Sequence, residues 1–270
     1  MTIHANLAQL REYHSTVSSI LDRVVSNALD DTSELSGLMN RAFELAACER
    51  QLGMPEQMEA STRLGVEAGL AVFAAAAAPD EPVTYTLAGQ TSTSDGAVGL
   101  DEAHTGRWEL AFYGASILRD RAAVRALCSI PESLPLSSPT LAESYVGLWF
   151  KVLRGLGATD AIDGELMVQA LEATDPDQLP EDAHDAALYL QVPALEVLYR
   201  IALDDADGVN TSLAAALDKH RAYWTLNEEN RRNPQGYVSW PLSALAEIAR
   251  ARKLSVSVKS DYLVQIASAS

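Results

Sequence analysis

The sequence predicts an all-α protein, an irregular multi-helix array of antiparallel helix pairs with room for one small two-stranded β-ribbon. Three observations carry that reading. Hydrophobic residues make up 48% of the chain and aromatic ones only 6%, so alanine and leucine, which lose little rotamer freedom in a helix, supply most of the apolar surface. Apolar positions recur with helical spacing along most of the 270 residues. Proline, glycine and small polar residues interrupt them where helices would end. No fixed repeat period is present, which argues against a regular solenoid. No firm boundary divides the sequence, so one helical domain over 1–270 is expected, with 1–63 as its N-terminal helices.

From Ala5 to Leu29 the residues Leu7, Leu10, Val17, Ile20, Leu21, Val24 and Val25 trace one helical face. Ser33 is placed to cap the next helix, which ends near Gly53. Pro55 opens a third helix that carries Leu64, Leu70, Val72 and Phe73 and stops at Pro79, with an alanine run that permits close helix approach. Val83 to Leu87 alternates with period two and reads as a strand, and Leu254 to Val258 reads as its partner. The stretch between them that is rich in Gly, Ser and Thr, Ala88 to His104, is expected to be a loop. Helices follow from Gly106 to Arg119, then up to Pro131, and again over Leu141–Leu156 and Asp160–Ala173. After an acidic, proline-punctuated link over Glu172–Asp185, helices are expected around Pro193–Leu203, Val209–Leu226 and Pro241–Arg252, with a short one near Asp261.

Charge narrows the function. Thirty-seven acids against 20 bases give −17, which opposes both phosphate neutralisation and attraction to anionic membranes. No nucleic-acid or membrane partner is therefore expected. Cys48 and Cys128 stand far apart inside apolar helical patterns, a spacing that fits neither a disulfide framework nor a metal site. The N-terminus lacks the basic start and apolar run of a signal peptide, and Gly69–Pro79, the most hydrophobic stretch, is too short to span a bilayer. A cytoplasmic protein is the expectation.

Motifs for chemistry are sparse. Leu203–Asn210 resembles the middle of a calcium loop, with Asp205 and Asp207 on ligand positions. Leu203 and Ala214 then occupy two positions that need oxygen, so the segment reads as a turn. Arg154–Asp160 has two glycines but lacks the strand and the third glycine of a dinucleotide loop. The histidines His4, His14, His104, His184 and His220 are dispersed, and no pair has zinc spacing. No metal, cofactor or small-molecule substrate is expected. The richest segment is "HRAYWTLNEENRRNPQGY", His220 to Tyr237. Leu213, Leu217, His220 and Trp224 share one helical face, which makes His220 a packed residue that needs one hydrogen bond. The competing reading makes His220 a catalytic base oriented by Glu228 or Glu229, but no nucleophile stands beside it. A brace is the reading that the pattern favours.

"LAVFAAAAAP", then "RWELAFYGASILRDRAAVRALCSIPESLP", then "DKHRAYWTLNEENRRNPQGYVSWPLSALAEIARARKLSVSVKSDYL" form an ordered set. That set resembles the immunity protein 49 family of bacterial polymorphic-toxin systems over about residues 64–263. The matching positions are Trp108, Phe112, Tyr113, Arg119 and Asp120 in the middle block. In the last block they are His220, Tyr223, Trp224, Glu228, Glu229, Pro241, Tyr262 and Leu263. The chain departs from the pattern near Trp240, where relatives carry a glycine before the proline, and at Val264, where a proline often follows. The resemblance implies a non-catalytic protein that binds the C-terminal domain of a cognate secreted toxin and neutralises it by occlusion. Most of these positions then serve architecture, and none serves catalysis.

The resemblance also gives the charge a use. Between Asp160 and Asp207 thirteen acids face one base, Arg200, so −12 of the net −17 lies in 48 residues. Asp175, Asp177, Glu181, Asp182, Asp185, Asp204, Asp205 and Asp207 are the candidate contacts to a basic toxin such as a nuclease. The same composition allows a helical scaffold or regulatory module that binds some other protein, and allows the link to be a solvated loop.

Overall fold

A computed structural model describes residues 7–266 except Ala97, Leu100, 138–140, Ala142 and Glu143, and gives only the backbone of Gln178 and Asp182. The described residues form two compact units, the first up to residue 138 and the second from residue 139. Helices dominate both, joined by one antiparallel hairpin in the first.

The first unit holds α1 (Leu7–Asp30), α2 (Leu35–Leu52), α3 (Pro55–Ala77), α4 (Thr105–Ile117) and α5 (Arg121–Ser129). The turn between α2 and α3 is set by Gly53, whose φ of +71° suits a residue without Cβ, and by Pro55 in the first turn of α3. With so short a connection α2 and α3 run antiparallel, and they make the most extensive helix contact in the chain. Bare backbone lets them approach. A methyl carbon on Gly65 of α3 would lie 2.7 Å from Phe43 Cε2 of α2, and one on Gly114 of α4 would lie 2.8 Å from Phe43 Cζ. Gly69 stands in the same relation to Ala111 Cβ, at 2.8 Å. The Phe43 ring is thus wedged in a slot between three helices whose floor is two glycines. Trp108 Nε1 donates to Leu127 O at 2.9 Å, which fixes α4 against α5.

The hairpin corrects the expected ribbon. Strand β1 (Pro82–Leu87) pairs with β2 (Gln90–Asp95), with Leu87 opposite Gln90, and not with 254–258. Ala88 and Gly89, at φ +49° and +77°, form the two-residue turn that suits the strand twist. The expected loop therefore contains a strand, one missed because its side chains are Ser and Thr rather than β-branched hydrophobics. One face carries the hydroxyl pairs Thr84–Thr93 at 2.8 Å and Thr86–Thr91 at 2.9 Å. The other buries Val83, Tyr85 and Leu87. Tyr85 Oη donates to Ala28 O at 2.7 Å and Ser92 Oγ to Leu29 O at 2.7 Å, so the hairpin satisfies carbonyls at the end of α1. One smaller expectation also changes. Asp31, not Ser33, is the cap after α1, because its carboxylate accepts from Ser33 N at 2.9 Å.

The second unit holds α6 (Tyr145–Thr159), α7 (Gly164–Glu172), α8 (Val192–Ala202), α9 (Ala206–Trp224), α10 (Glu228–Arg232) and α11 (Trp240–Ala251). Asp163 caps α7 and Asp205 caps α9 through their carboxylates. Helices α8 and α9 pair through the Leu203–Asp205 turn, and α11 packs on both. Trp149 and Phe150 of α6 and Val197, Leu198 and Ile201 of α8 are buried in this unit. The segment 254–258 is extended but makes no ladder. Asn210 of α9 takes the place of a neighbouring strand, donating from Nδ2 to Ser255 O at 2.7 Å and accepting from Ser257 N at 2.8 Å. Near Asp261 the chain makes a turn and not a helix, and it is held by Tyr262 O accepting from Ser239 N at 2.9 Å.

The glycine slot is testable against a control. Alanine is the better helix former by about 1 kcal/mol, but overpacking a filled core costs about 1–3 kcal/mol. At Gly114 the added carbon meets three atoms within 2.9 Å, whereas at exposed Gly155 in α6 it meets nothing within 4 Å. Gly114→Ala should therefore lower the thermal midpoint by several degrees and Gly155→Ala raise it slightly, as followed by circular dichroism. Equal shifts in the same direction would show that the slot is not tight.

Candidate functional site

Two regions of the second unit compete for function, the His220–Tyr237 segment and the acidic stretch before α9. In the first, the apolar face of α9 buries Leu213, Leu217 and His220 in succession. His220 Nε2 meets Gly236 O at 3.2 Å, and since a carbonyl only accepts, Nε2 carries the proton. The ring lies edge-on to Tyr262, centroids 5.1 Å apart, and 6.1 Å from Trp224. Burial pushes its pKa down to about 4, against the smaller upward pull of the Gly236 carbonyl. Trp224 rests on bare backbone, because a methyl carbon on Gly236 would lie 2.8 Å from its ring.

The polar residues of the segment hold the turn. Asn227 caps α10 by accepting from Asn230 N at 2.8 Å, and Asn230 Nδ2 donates to Tyr223 O at 2.9 Å. Asn233 caps the 3-10 turn Pro234–Tyr237, accepting from Gln235 N at 3.0 Å. Glu228 pairs with Arg232 at 3.0 Å and Arg231 at 3.7 Å on the exposed side, and Glu229 is also exposed. His220 is thus oriented by a backbone carbonyl and two aromatic rings, while Glu228 is turned to arginines in solvent. Pro241 sits in the first turn of α11, and Tyr262 and Leu263 are buried. This is the geometry of a brace joining the end of α9 to the C-terminal segment.

The other family-pattern residues lie in the first unit. Trp108 stacks on Phe112 at 5.0 Å, and both are buried along α4 with Tyr113. Arg119 takes φ +56° in the sharp turn to α5, and Asp120 caps α5 by accepting from Ala122 N and Ala123 N.

Sequence reading passed over two groups. Glu109 accepts from Tyr113 Oη at 3.2 Å, and burial of its carboxyl pushes its pKa up to about 8. A lone acid within the apolar run of α4 was the available signal. Although the residue as a whole is partly exposed, its Oε1 is shut off from solvent, and that oxygen governs the shift. The second group is Glu49, buried at 3% exposure, whose Oε1 lies 3.3 Å from His14 Nε2; Ser18 Oγ lies 3.4 Å from the same nitrogen. A catalytic triad needs the acid on one ring nitrogen and the hydroxyl on the other. Here both address Nε2, so Glu49 does not orient the ring through Nδ1 while Nε2 takes the serine proton. Burial raises the Cys48 pKa to about 12, which leaves it an unreactive thiol.

The acidic stretch is built differently. Between α7 and α8 the chain runs through 3-10 turns at Pro176–Gln178 and Glu181–Ala183, a single helical turn at His184–Ala186 and a π-turn at Ala187–Gln191. Asp175, Asp177, Glu181 and Asp185 are exposed on these turns, and the side chain of Asp182 lies outside the described residues. Asp204, at φ +53°, and Asp207 are exposed beyond the other end of α8. Asp205 is partly spent on structure, since it caps α9 and lies 3.4 Å from Arg200. The structure therefore does not gather the acids into one cluster. The rise of a helix separates Asp185 from Asp204 by roughly 25 Å, and α8 fills the space between.

The brace carries a prediction with a pH signature. His220 has a folded pKa near 4 and an unfolded one of about 6.5, so its neutral form favours folding above pH 6.5. That contribution falls as pH drops from 6.5 to 4, at about 1.4 kcal/mol per pH unit. Urea titrations across this window should show a shallower loss for His220→Gln, which cannot protonate but can still donate to Gly236 O. Parallel curves for the two proteins would remove the buried neutral imidazole. Gly236→Ala should destabilise at every pH by displacing Trp224.

Among the described residues no helix is long and apolar enough to cross a membrane, and no group of three His, Cys, Asp or Glu could hold a metal ion. No curated protein and no solved structure matches the chain. The family described as Immunity protein 49 matches residues 50–263, well over half the chain, across both units. This chain belongs to the immunity protein 49 family.

Proposed function

We propose that this protein is a non-catalytic cytoplasmic inhibitor that binds the C-terminal domain of a cognate secreted bacterial toxin and neutralises it by occlusion. Family membership supports a toxin protein as the partner. The observation that carries the mechanism is the display of acid. Twelve net negative charges fall in 48 residues, and most of the candidate acids stand exposed on short turns. Charge of one sign displayed on exposed turns is placed to meet an opposite surface. The partner surface that suits it is basic, as in the substrate cleft of a nuclease. Occlusion requires geometry and affinity and no reacting group. The buried neutral His220 and the single-nitrogen contacts of His14 suit such a protein.

The test is co-expression with the toxin domain encoded beside this chain, scored by growth rescue and by co-elution on size exclusion. Rescue with a stable complex is the expected result. Folded protein without complex or rescue would overturn the reading and favour a helical scaffold. Reversing the charge of Asp175, Asp177, Glu181 and Asp182 together should slow association by about tenfold at low salt and flatten its salt dependence. Dissociation should change less. Unchanged association kinetics would remove these turns from the interface.

A further inference from the structure

The acid runs flank an apolar face that the fold leaves uncovered. Seven large hydrophobic side chains stand exposed among the described residues, and five of them, Val168, Leu171, Leu188, Tyr199 and Leu203, fall within the acidic 160–207 stretch. Scattered exposed leucines need no explanation, but concentration in under a fifth of a chain does. The set is organised by α8. Its inward face buries Ala194, Leu195, Val197, Leu198 and Ile201, so the helix is fully anchored without the outward residues. Tyr199, 49% exposed, and Leu203, 54% exposed, are one turn apart on the outward side. Leu188 stands exposed in the π-turn that leads into the same helix. Helix α7 packs on α8 and carries Val168 and Leu171 one turn apart on its own exposed side.

We infer that the outward face of α8, centred on Tyr199 and Leu203, is the apolar contact through which this protein grips a basic partner protein. The inference rests on the toxin-binding reading and names the anchor within it. Charge complementarity identifies the occupant. Asp185 and Asp204 bracket the face at its two ends, and the one base of the stretch, Arg200, is already matched by Asp205 at 3.4 Å and lies 5.8 Å from the Tyr199 ring. An apolar centre rimmed by uncompensated acid suits a basic surface with an apolar patch, and repels a second copy of this acidic chain. The dimensions agree, because a standard interface of roughly 800 Å² per partner is about 30 Å across. That breadth reaches both acid runs with α8 at its middle. Tyrosine is among the residue types enriched at the positions that dominate binding energy.

The experiment measures binding to the adjacent toxin domain, catalytically inactivated, by biolayer interferometry. It compares the wild type, Tyr199→Ser with Leu203→Ser, Val168→Ser with Leu171→Ser, and Leu226→Ser as an exposed apolar control outside the stretch. Thermal melts check that each variant is folded. The α8 pair should weaken binding at least about tenfold, through faster dissociation. The control should stay within about twofold, and the α7 pair should fall between. Wild-type binding that survives the α8 pair within about twofold would overturn the anchor and leave the toxin-binding reading standing. No binding by the wild type would overturn both. A wild type that sediments as a dimer, made monomeric by the α8 pair, would assign the face to self-association and also overturn the proposal.

Discussion

The structure depends on aromatic rings seated against backbone that has no side chain. In the first unit Phe43 of α2 fills a slot floored by Gly65 of α3 and Gly114 of α4, which brings three helices to one point. In the second, Trp224 at the end of α9 lies on Gly236, and His220 one turn earlier donates to that same glycine's carbonyl. Dispersion falls steeply with gap, so a ring in contact over its whole face gains far more than one held off by a methyl group. Glycine costs helix stability, and the chain accepts that cost at Gly65 and Gly114 because ring contact exceeds it. In a sequence with only four phenylalanines and four tryptophans, Phe43 and Trp224 are seated where glycine lets the backbone close on the ring.

Polar groups follow a matching economy. Among the described residues buried carboxyls are few, and each has a nearby partner: His14 for Glu49, Tyr113 for Glu109 and Arg250 for Glu247. Aspartates recur at helix starts, where Asp120, Asp163 and Asp205 accept from exposed backbone N–H groups. Asp175, Asp177, Glu181, Asp185, Asp204 and Asp207 stand exposed on either side of α8. By charge such a surface is complementary to a basic protein, which is the kind of partner proposed above.

Much of the fold was legible in the sequence, and for definite reasons. The Pro55 and Gly53 pair marked the α2–α3 turn because proline fixes the first turn of a helix and glycine accepts positive φ. His220 read as a brace because its neighbours at helical spacing were Leu213, Leu217 and Trp224. Strand pairing was misread. Period-two alternation in Val83–Leu87 and Leu254–Val258 suggested that they were partners, but alternation shows which face is buried and not what lies alongside. The true partner, Gln90–Asp95, is all polar, and its signal was the two-residue turn at Ala88–Gly89. Leu254–Val258 keeps its alternation because one side is half-buried, while Asn210 supplies the hydrogen bonds a strand would have made.

What the sequence determined by itself was the helical class, the kinship and the concentration of acid, since each is a property of residue order and composition. What only the tertiary structure decided was which acids stand exposed, how far apart they are, and that exposed apolar side chains lie between them. Exposure is set by everything packed around a residue. Tyr199 and Leu203 have the same apolar character as their buried neighbours Leu198 and Ile201, and only the direction in which α8 turns them separates core from surface.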